Sequence, residues 1–512
     1  MSLPERPGSR QVRPPTAAAA AAVAFLVTAC GQPPAAPPPV RIGVHGDPVS
    51  LDPHGQAELL SLAILGNVHE ALTVLDREIK LGPALAESWE SPDDLTWRFR
   101  LRPDARFHDG RAVEAEDVVA SLARARRVPG GGVGSYVVAV ASSRALGPRT
   151  VEVVTTRPFA GLLNKLAVVA VVPRDAPAPL AAPVGNGPYR VSAYEKGRRL
   201  RLDPVAGPGL PADLPPLEFF PLRDPAERTE RLLRGELDLV QDLSPDLLPQ
   251  VEAAKGYRVA VTTSPVVEFL HFSRSDPRFA DPRVREAFDL ALDRAALVRN
   301  AFRGRAQPAT QIVGPGVFGY DPSIPARGRD LARARSLLAD AGYAGGLDVR
   351  LEYRQGRDAA EIARQLGEAG IRVTPVAHPW PPLFARLSAR SVPFYYGGVA
   401  APSADASDIF DSFVHSPDPA RGYGGTNHSG YSNPEVDRLV ERIGETRSLR
   451  ERQALLQQGM RLLAEDRWIL PLVIPYDLYG VTRDLAWEPR LDRRLFGAEM
   501  RWSRPRKEAA GS

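Results

Sequence analysis

The clearest hydrophobic pattern in this chain is a strict alternation that begins at residue 95. Large apolar side chains occupy every second position, and threonine or arginine occupies the positions between them: Leu95, Trp97, Phe99 and Leu101 against Thr96, Arg98, Arg100 and Arg102. A period of two places one set on each face of an extended chain. The pattern therefore predicts an antiparallel strand with one buried face and one solvated face.

The residues after this strand predict a tight corner and then a helix. Pro103 and Asp104 favour a turn. Gly110 can adopt the positive φ that a sharp reversal needs. From about Ala115 the apolar positions recur with the period of a helix.

The same two periods alternate along the rest of the chain. Strand patterns cover residues 40–44, 150–155, 168–173, 268–273, 347–353, 371–373 and 468–479. Helical patterns cover residues 59–72, 282–298, 330–342, 358–369, 434–443 and 452–465. Alternating strands and helices predict an α/β architecture, and the length of 512 residues predicts two to four domains.

The N-terminus has the pattern of an export signal that ends at a lipid-modified cysteine. Three arginines precede an apolar run over residues 17–26, which is too short to span a bilayer. Small residues then lead to Cys30, the only cysteine of the chain. This arrangement resembles the lipobox of bacterial lipoproteins, which implies a signal peptide over 1–29, acylation of Cys30 and a Pro-rich tether over 30–39. Ordinary secretory cleavage near Ala29 is the alternative.

Charge and motifs exclude several functions. A net charge of +4 without a long basic run gives no support for a nucleic-acid partner. The Gly-rich run at 130–134 lacks the Gly-Lys-Ser/Thr of a phosphate loop, and the G-x-G-x-x-G match at 314–319 continues as a loop. His415 and His428 form no standard metal-ligand spacing with the nearby aspartates. We therefore predict a binding protein rather than an enzyme, with no catalytic residue, no metal site and no cofactor.

Several runs resemble, in the right order, motifs of the family 5 extracellular solute-binding proteins, the receptors of peptide, dipeptide, oligopeptide and nickel ABC importers. They are residues 102–110 (RPDARFHDG), 115–118 (AEDV), 183–191 (PVGNGPYRV) and 281–294 (DPRVREAFDLALDR). The resemblance extends from Val40 to about Tyr479. It implies the large periplasmic-binding-protein-like fold (type II, cluster C), with two lobes, an extra subdomain in the first lobe and a hinge of two chain crossings.

The resemblance also implies the domain boundaries. Lobe I comprises residues 40–56, 183–271 and 474–512, the last part including a C-terminal tail. The extra subdomain of lobe I covers residues 57–182, and lobe II covers residues 272–473. The two crossings are expected near Phe272 and Ile474.

The expected ligand site lies after an aromatic strand, 394–398, that ends in glycines. Glycines let a ligand approach the backbone, and buried tyrosines supply apolar area with a polar tip. In the family the next loop has the form G-W-x-A-D-Y-x-D-P, and its first aspartate pairs with the amino group of a peptide. Here the run is GVAAPSADA at 398–406. Pro402 stands at the position of that aspartate, and Asp405 matches the second acid.

The substitution at Pro402 puts capture of an ordinary peptide ammonium in doubt, because a buried cation needs a partner. Asp405 or Asp408 could replace the aspartate that is missing at position 402. If neither does, the ligand is not a simple peptide with a free amine. The candidate ligand-binding residues are Glu58, Tyr136, Tyr396, Gly398, Ala400, Asp405 and Asp408.

The function implied is that of a substrate-binding lipoprotein of an ABC importer. It would capture a peptide or peptide-like solute between its lobes, close by a hinge and deliver the solute to permease subunits in the cytoplasmic membrane. We expect an exported monomer that is lipid-anchored to the cell envelope at Cys30. The alternatives are a receptor for a non-peptide ligand (a nickel chelate, haem, sugar or opine) and a ligand-sensing signalling lipoprotein.

Overall fold

A computed structural model of the protein describes residues 37–504, except 56, 129–131, 181, 208–209, 356 and 358. The predicted signal peptide, Cys30 and most of the tether lie outside the described residues. The strands are β1 (Val40–Val44), β2 (Thr73–Leu75), β3 (Leu81–Pro83), β4 (Ala86–Glu90), β5 (Thr96–Leu101), β6 (Val140–Gly147), β7 (Thr150–Thr155), β8 (Tyr189–Glu195), β9 (Arg199–Pro204), β10 (Leu217–Pro221), β11 (Leu239–Gln241), β12 (Tyr257–Thr263), β13 (Val267–Phe272), β14 (Ala306–Pro308), β15 (Leu347–Arg354), β16 (Ile371–His378), β17 (Phe394–Val399), β18 (Ile469–Thr482), β19 (Leu485–Ala486) and β20 (Arg501–Trp502).

Helices lie between these strands along most of the chain, as the alternating pattern predicts. They are α1 (Leu59–Leu65), α2 (Ala115–Ala125), α3 (Leu162–Leu166), α4 (Pro225–Leu233), α5 (Leu248–Ala253), α6 (Pro282–Ala291), α7 (Arg294–Asn300), α8 (Leu331–Asp340), α9 (Ala360–Glu368), α10 (Trp380–Ser388), α11 (Ser407–Ile409), α12 (Pro434–Glu445) and α13 (Leu449–Asp466).

The long strand β18 connects the two halves of the largest sheet, whose order is β16-β15-β17-β13-β18-β11-β1-β10-β9-β8. The first half of β18 pairs with β13 and β14, and its second half pairs with β11 and β12. The change of partners falls at Pro475, which faces β14, and Tyr476, which faces β12. One chain crossing therefore lies inside a single strand.

The strand pairing also bears on the other crossing. We expected it near Phe272, yet β13 pairs along its length with β17 and with the first half of β18. This pairing favours a crossing at residues 264–266, between β12 and β13. The lobe boundaries as a whole stay a prediction.

Each part of the molecule has its own hydrophobic core. In the extra subdomain, the sheet β4-β5-β7-β6 and α2 bury Phe99 and Leu122. Lobe I is built around Tyr189 and Phe219. Lobe II contains an aromatic cluster in which the rings of Phe272 and Phe394 stack 5.3 Å apart. Separate cores allow the parts to move as units.

Local patterns account for several elements. Trp97, Phe99 and Leu101 are buried in β5, as the alternation predicts. The prediction is wrong for Leu95, which precedes the strand and is 38% exposed. Asp281 caps α6 by accepting a hydrogen bond from the Arg283 amide, with proline in the first turn.

Two predicted elements are wrong, and the helix predicted over 282–298 is divided into α6 and α7. The helix expected over 59–72 ends at Leu65, where the Asn67 amide donates to the carbonyl oxygens of Ile64 (3.1 Å) and Leu495 (2.9 Å). Residues 168–173 are buried but form no strand, and only Ala170 makes an isolated bridge. An apolar run indicates burial, whereas strand formation depends on a partner that the sequence does not identify.

Candidate functional site

A cavity of about 80 Å³ lies where the extra subdomain of lobe I meets lobe II. The extra subdomain contributes Tyr136, Arg157 and Lys165, among others. Lobe II contributes the loop that follows β17 and the start of the next helical segment, including Ala400, Pro402, Asp408 and Asp411. The cavity therefore brings together three of the sequence-predicted site residues, namely Tyr136, Ala400 and Asp408.

Lys165 is the central polar group of this cavity. It lies on α3, and its ammonium contacts Asp408 Oδ1 at 3.2 Å and Asp411 Oδ2 at 3.0 Å in lobe II. Its side chain is only 6% exposed. Burial alone would lower the pKa of Lys165, but the Asp411 and Asp408 carboxylates raise it above its ordinary value. Lys165 is therefore a charged ammonium that joins the two lobes.

Asp408 is held from two sides. Its Oδ2 accepts a hydrogen bond of 3.0 Å from the Ser403 amide, and its Oδ1 faces Lys165. Burial raises the pKa of Asp408 above its ordinary value, and this effect exceeds the lowering by Lys165 and the Ser403 amide. The carboxylate is thus poorly solvated even with its partners in place.

Further contacts join the lobes beside this cavity. The Asn164 amide donates to the Ser403 carbonyl at 3.0 Å. The Ala160 amide donates to the Gly444 carbonyl at 3.1 Å. The lobes are therefore closed on this side. A cavity of about 80 Å³ is far smaller than the roughly 300–1,000 Å³ of typical ligand sites, so entry of a solute requires the lobes to move apart.

Asp405 has a different environment from Asp408. Both of its carboxylate oxygens accept hydrogen bonds from Arg452 of α13, and Oδ1 also accepts one from the Ser407 amide at 2.9 Å. Asp405 and Arg452 are each 2% exposed. Burial would raise the pKa of Asp405, but Arg452 holds it below its ordinary value. The ligand role of Asp405 stays a prediction, and its contacts are those of a pair within lobe II.

Tyr396 and Gly398 lie on β17 and do not line the cavity. The Tyr396 hydroxyl donates to the Glu268 carboxylate, which also accepts from Arg357. A side chain at position 398 would begin 2.9 Å from Arg357, so glycine makes room for this arginine. The observed roles of both residues are within lobe II.

Glu58 and Pro402 complete the set of predicted positions. The Glu58 carboxylate caps α1 by accepting from the amides of Leu60 (2.9 Å) and Ser61 (3.0 Å). Pro402 lines the cavity of Lys165 and also a smaller apolar one between the lobes. The position is thus in the interlobe cleft, but the proline ring offers no carboxylate there.

Sequence reasoning missed Arg157, Lys165 and Asp411. The signal for Lys165 was available, because it is one of five lysines in the chain and it interrupts an apolar run. A charge in such a run is rarely buried without a partner. Arg157 and Asp411 carry no comparable local signal, since the fold alone brings them to the cavity.

Comparison with known proteins identifies the family. Residues 80–420 match the family model described as bacterial extracellular solute-binding proteins, family 5 Middle. The chain belongs to this family. One relative, the glutathione-binding protein GsiB of Escherichia coli K12, is 28% identical over 463 residues, covering 85% of this chain and 88% of GsiB.

Solved structures of the same fold bind different solutes. The dipeptide-binding protein of Pseudoalteromonas sp. SM9913, in complex with Met-Leu, has a TM-score of 0.80, 20% identity and coverage of 90% of this chain and 99% of that chain. Staphylococcus aureus NikA, in complex with Ni(L-His)2, has a TM-score of 0.77 at 20% identity, with coverage of 90% and 99%. The large periplasmic-binding-protein-like fold is confirmed.

The family defines the general role. This family 5 protein is a substrate-binding protein of the ABC importer type, and the relatives named above are solute receptors. Within the part of the chain that the structure describes, no helix is both long and apolar enough to cross a bilayer.

Proposed function

We propose that this protein takes a peptide or peptide-like solute into the cleft between lobe II and the extra subdomain, and presents it to a membrane permease. The observation that carries the proposal is the cavity lined by Tyr136 from one side and by Ala400 and Asp408 from the other. Residues from both sides of a cleft can sense one solute only when the lobes are closed over it. Closure then becomes the signal that a permease can recognise.

The solute class includes a non-peptide alternative. The family motif implies an aspartate that pairs with a peptide amine, and this chain has Pro402 at that position. A nickel chelate, haem, sugar or opine receptor on this fold, or a sensing role without transport, is therefore the second candidate.

We further propose that the mature protein is exported and anchored through lipid at Cys30. The support is the sequence alone: a short apolar run, small residues and a single cysteine. A Cys30→Ser variant is expected to leave the membrane fraction and to lose incorporation of labelled palmitate. Retention of both properties would contradict the anchor.

The test of the receptor is identification of the solute. The soluble form that begins at Gly31 would be purified from a rich extract and measured by native mass spectrometry, and the released solute would be identified. A stoichiometric solute whose rebinding lowers the radius of gyration in small-angle X-ray scattering supports the proposal. A protein that captures no solute from any extract contradicts it.

A further inference from the structure

The carboxylates next to the cavity are already paired with cations of the chain itself. Asp405 binds Arg452 through both oxygens, and Asp408 and Asp411 share the ammonium of Lys165. A ligand ammonium would therefore have to displace Lys165 from two buried acids. Such a displacement leaves a buried lysine without a partner, which is strongly unfavourable.

Arg157 presents the opposite situation. Arg157 is one of the residues that line the cavity, and its guanidinium lies over the rings of Tyr423 (4.7 Å) and Phe159 (5.3 Å). Its Nη1 is buried next to Gly444 of α12 and has no hydrogen-bond partner, and Arg157 forms no ion pair with a carboxylate among the described residues. Ring contacts offset only part of the desolvation of a cation. The guanidinium thus retains capacity for an anion.

Arg157 and Lys165 both belong to the extra subdomain and both line the cavity. Both contact the ring of Phe159, with Lys165 Nζ 5.6 Å from its centroid. Lys165 also lies 5.8 Å from the centroid of Tyr136. An ammonium has three donors, and the two aspartates engage two of them. The extra-subdomain side of the cavity therefore has two cationic side chains, Arg157 and Lys165, with N–H groups that are not engaged by carboxylates.

We infer that the solute presents a carboxylate to Arg157, with Lys165 as a second donor, and that Lys165 has taken the place of a ligand ammonium at the acid pair. This inference rests on the proposed function, because it names the solute class of the same cleft. It explains how the family site can work without an acid at position 402. The solute needs no free amine at this end, because the chain supplies the ammonium itself.

The first test compares matched acids and amides. The soluble form that begins at Gly31 would be screened by thermal shift and then by calorimetry, at constant ionic strength. The panel contains dicarboxylic acids, N-acetyl amino acids and N-acetylated tripeptides, each beside its primary amide. Stabilising acids are expected to bind at least about tenfold more tightly than their amides. Equal affinity for acid and amide, or a panel in which no acid binds, would overturn the inference.

The second test replaces Arg157, the side chain proposed to bind the carboxylate of the solute. Arg157→Gln should weaken the best acid by about tenfold or more and leave its amide unchanged. Arg223→Gln, at an exposed arginine of lobe I, is the matched control and should change neither. Unaltered amide binding also shows that the Arg157 variant is folded. Full acid affinity in Arg157→Gln would refute the role of Arg157.

A third variant tests the exchange at the acid pair. Lys165→Ala frees Asp408 and Asp411, so butylammonium should stabilise this variant and not the wild type. Equal stabilisation of both proteins would refute the exchange. If amides bind and acids do not, the proposed receptor function is retained and the proposed recognition of a carboxylate is rejected. If no probe binds and no solute copurifies, the proposed function fails as well.

Discussion

Two aspartates that lie three residues apart in lobe II have opposite surroundings. Asp405 pairs with Arg452 inside lobe II, and both side chains are 2% exposed. Asp408 pairs with Lys165 of the extra subdomain, across the cleft. Both members of the first pair belong to lobe II, so separation of the lobes does not by itself break it. The second pair exists only while the lobes are in contact.

The two ion pairs are therefore expected to affect different properties: the Asp405 pair the stability of lobe II, and the Asp408 pair the closure of the lobes. Removing one member of a pair whose side chains are both 2% exposed leaves a buried charge without compensation. Breaking a pair between two lobes is less costly, because the lobes can separate and water can hydrate the remaining groups. The short segment from Asp405 to Asp408 therefore carries one ion pair within lobe II and another that depends on the state of the cleft.

The largest effect is expected at the pair within lobe II. Asp405→Asn keeps the side-chain shape but leaves Arg452 buried without a carboxylate, so the free energy of unfolding should fall by about 3–5 kcal/mol. Urea unfolding followed by tryptophan fluorescence measures this change. The control is the double variant Asp405→Asn with Arg452→Met, which should recover most of the loss. A loss below about 1 kcal/mol would contradict a structural role for this pair.

A smaller effect on stability, but a larger effect on shape, is expected at the pair between the lobes. Lys165→Met should lower the free energy of unfolding by about 1–2 kcal/mol and should increase the radius of gyration in solution scattering. Lys196→Met, at an exposed lysine of lobe I, is the matched control. An unchanged scattering profile, together with a loss as large as that of Asp405→Asn, would show that the two pairs are equivalent after all.

The same two aspartates show what sequence can and cannot predict here. The family, the α/β fold and the position of the 398–406 loop followed from motifs and periodicity, because these are local properties. The matched motif predicted a ligand role for Asp405, and Asp408 was considered as a substitute for the acid missing at position 402. Neither prediction gave information about the partners of these aspartates. Lys165 is 243 residues from Asp408 and Arg452 is 47 residues from Asp405. Such distant pairs are set by packing of whole lobes, which a single sequence does not show.

The two aspartates also differ in the direction in which the fold shifts their pKa. Burial holds the pKa of Asp408 above its ordinary value of 3.8, so the folded protein binds this proton more readily than the unfolded chain, and its contribution to stability grows as the pH falls. Despite burial, Arg452 holds the pKa of Asp405 below 3.8, so its contribution is complete above that pH and is lost on further acidification.

The stability difference between wild type and Asp408→Asn should therefore shift in favour of wild type as the pH falls from 7 towards 4. The difference between wild type and Asp405→Asn should stay constant over this range and shrink below it. Buried His69 and His271, whose pKa burial lowers to about 3, titrate in all three proteins, so their effect cancels in each difference. Urea unfolding at a series of pH values gives both curves. If the two differences change in the same direction with pH, Asp405 and Asp408 do not differ in the way that the ion pairs indicate.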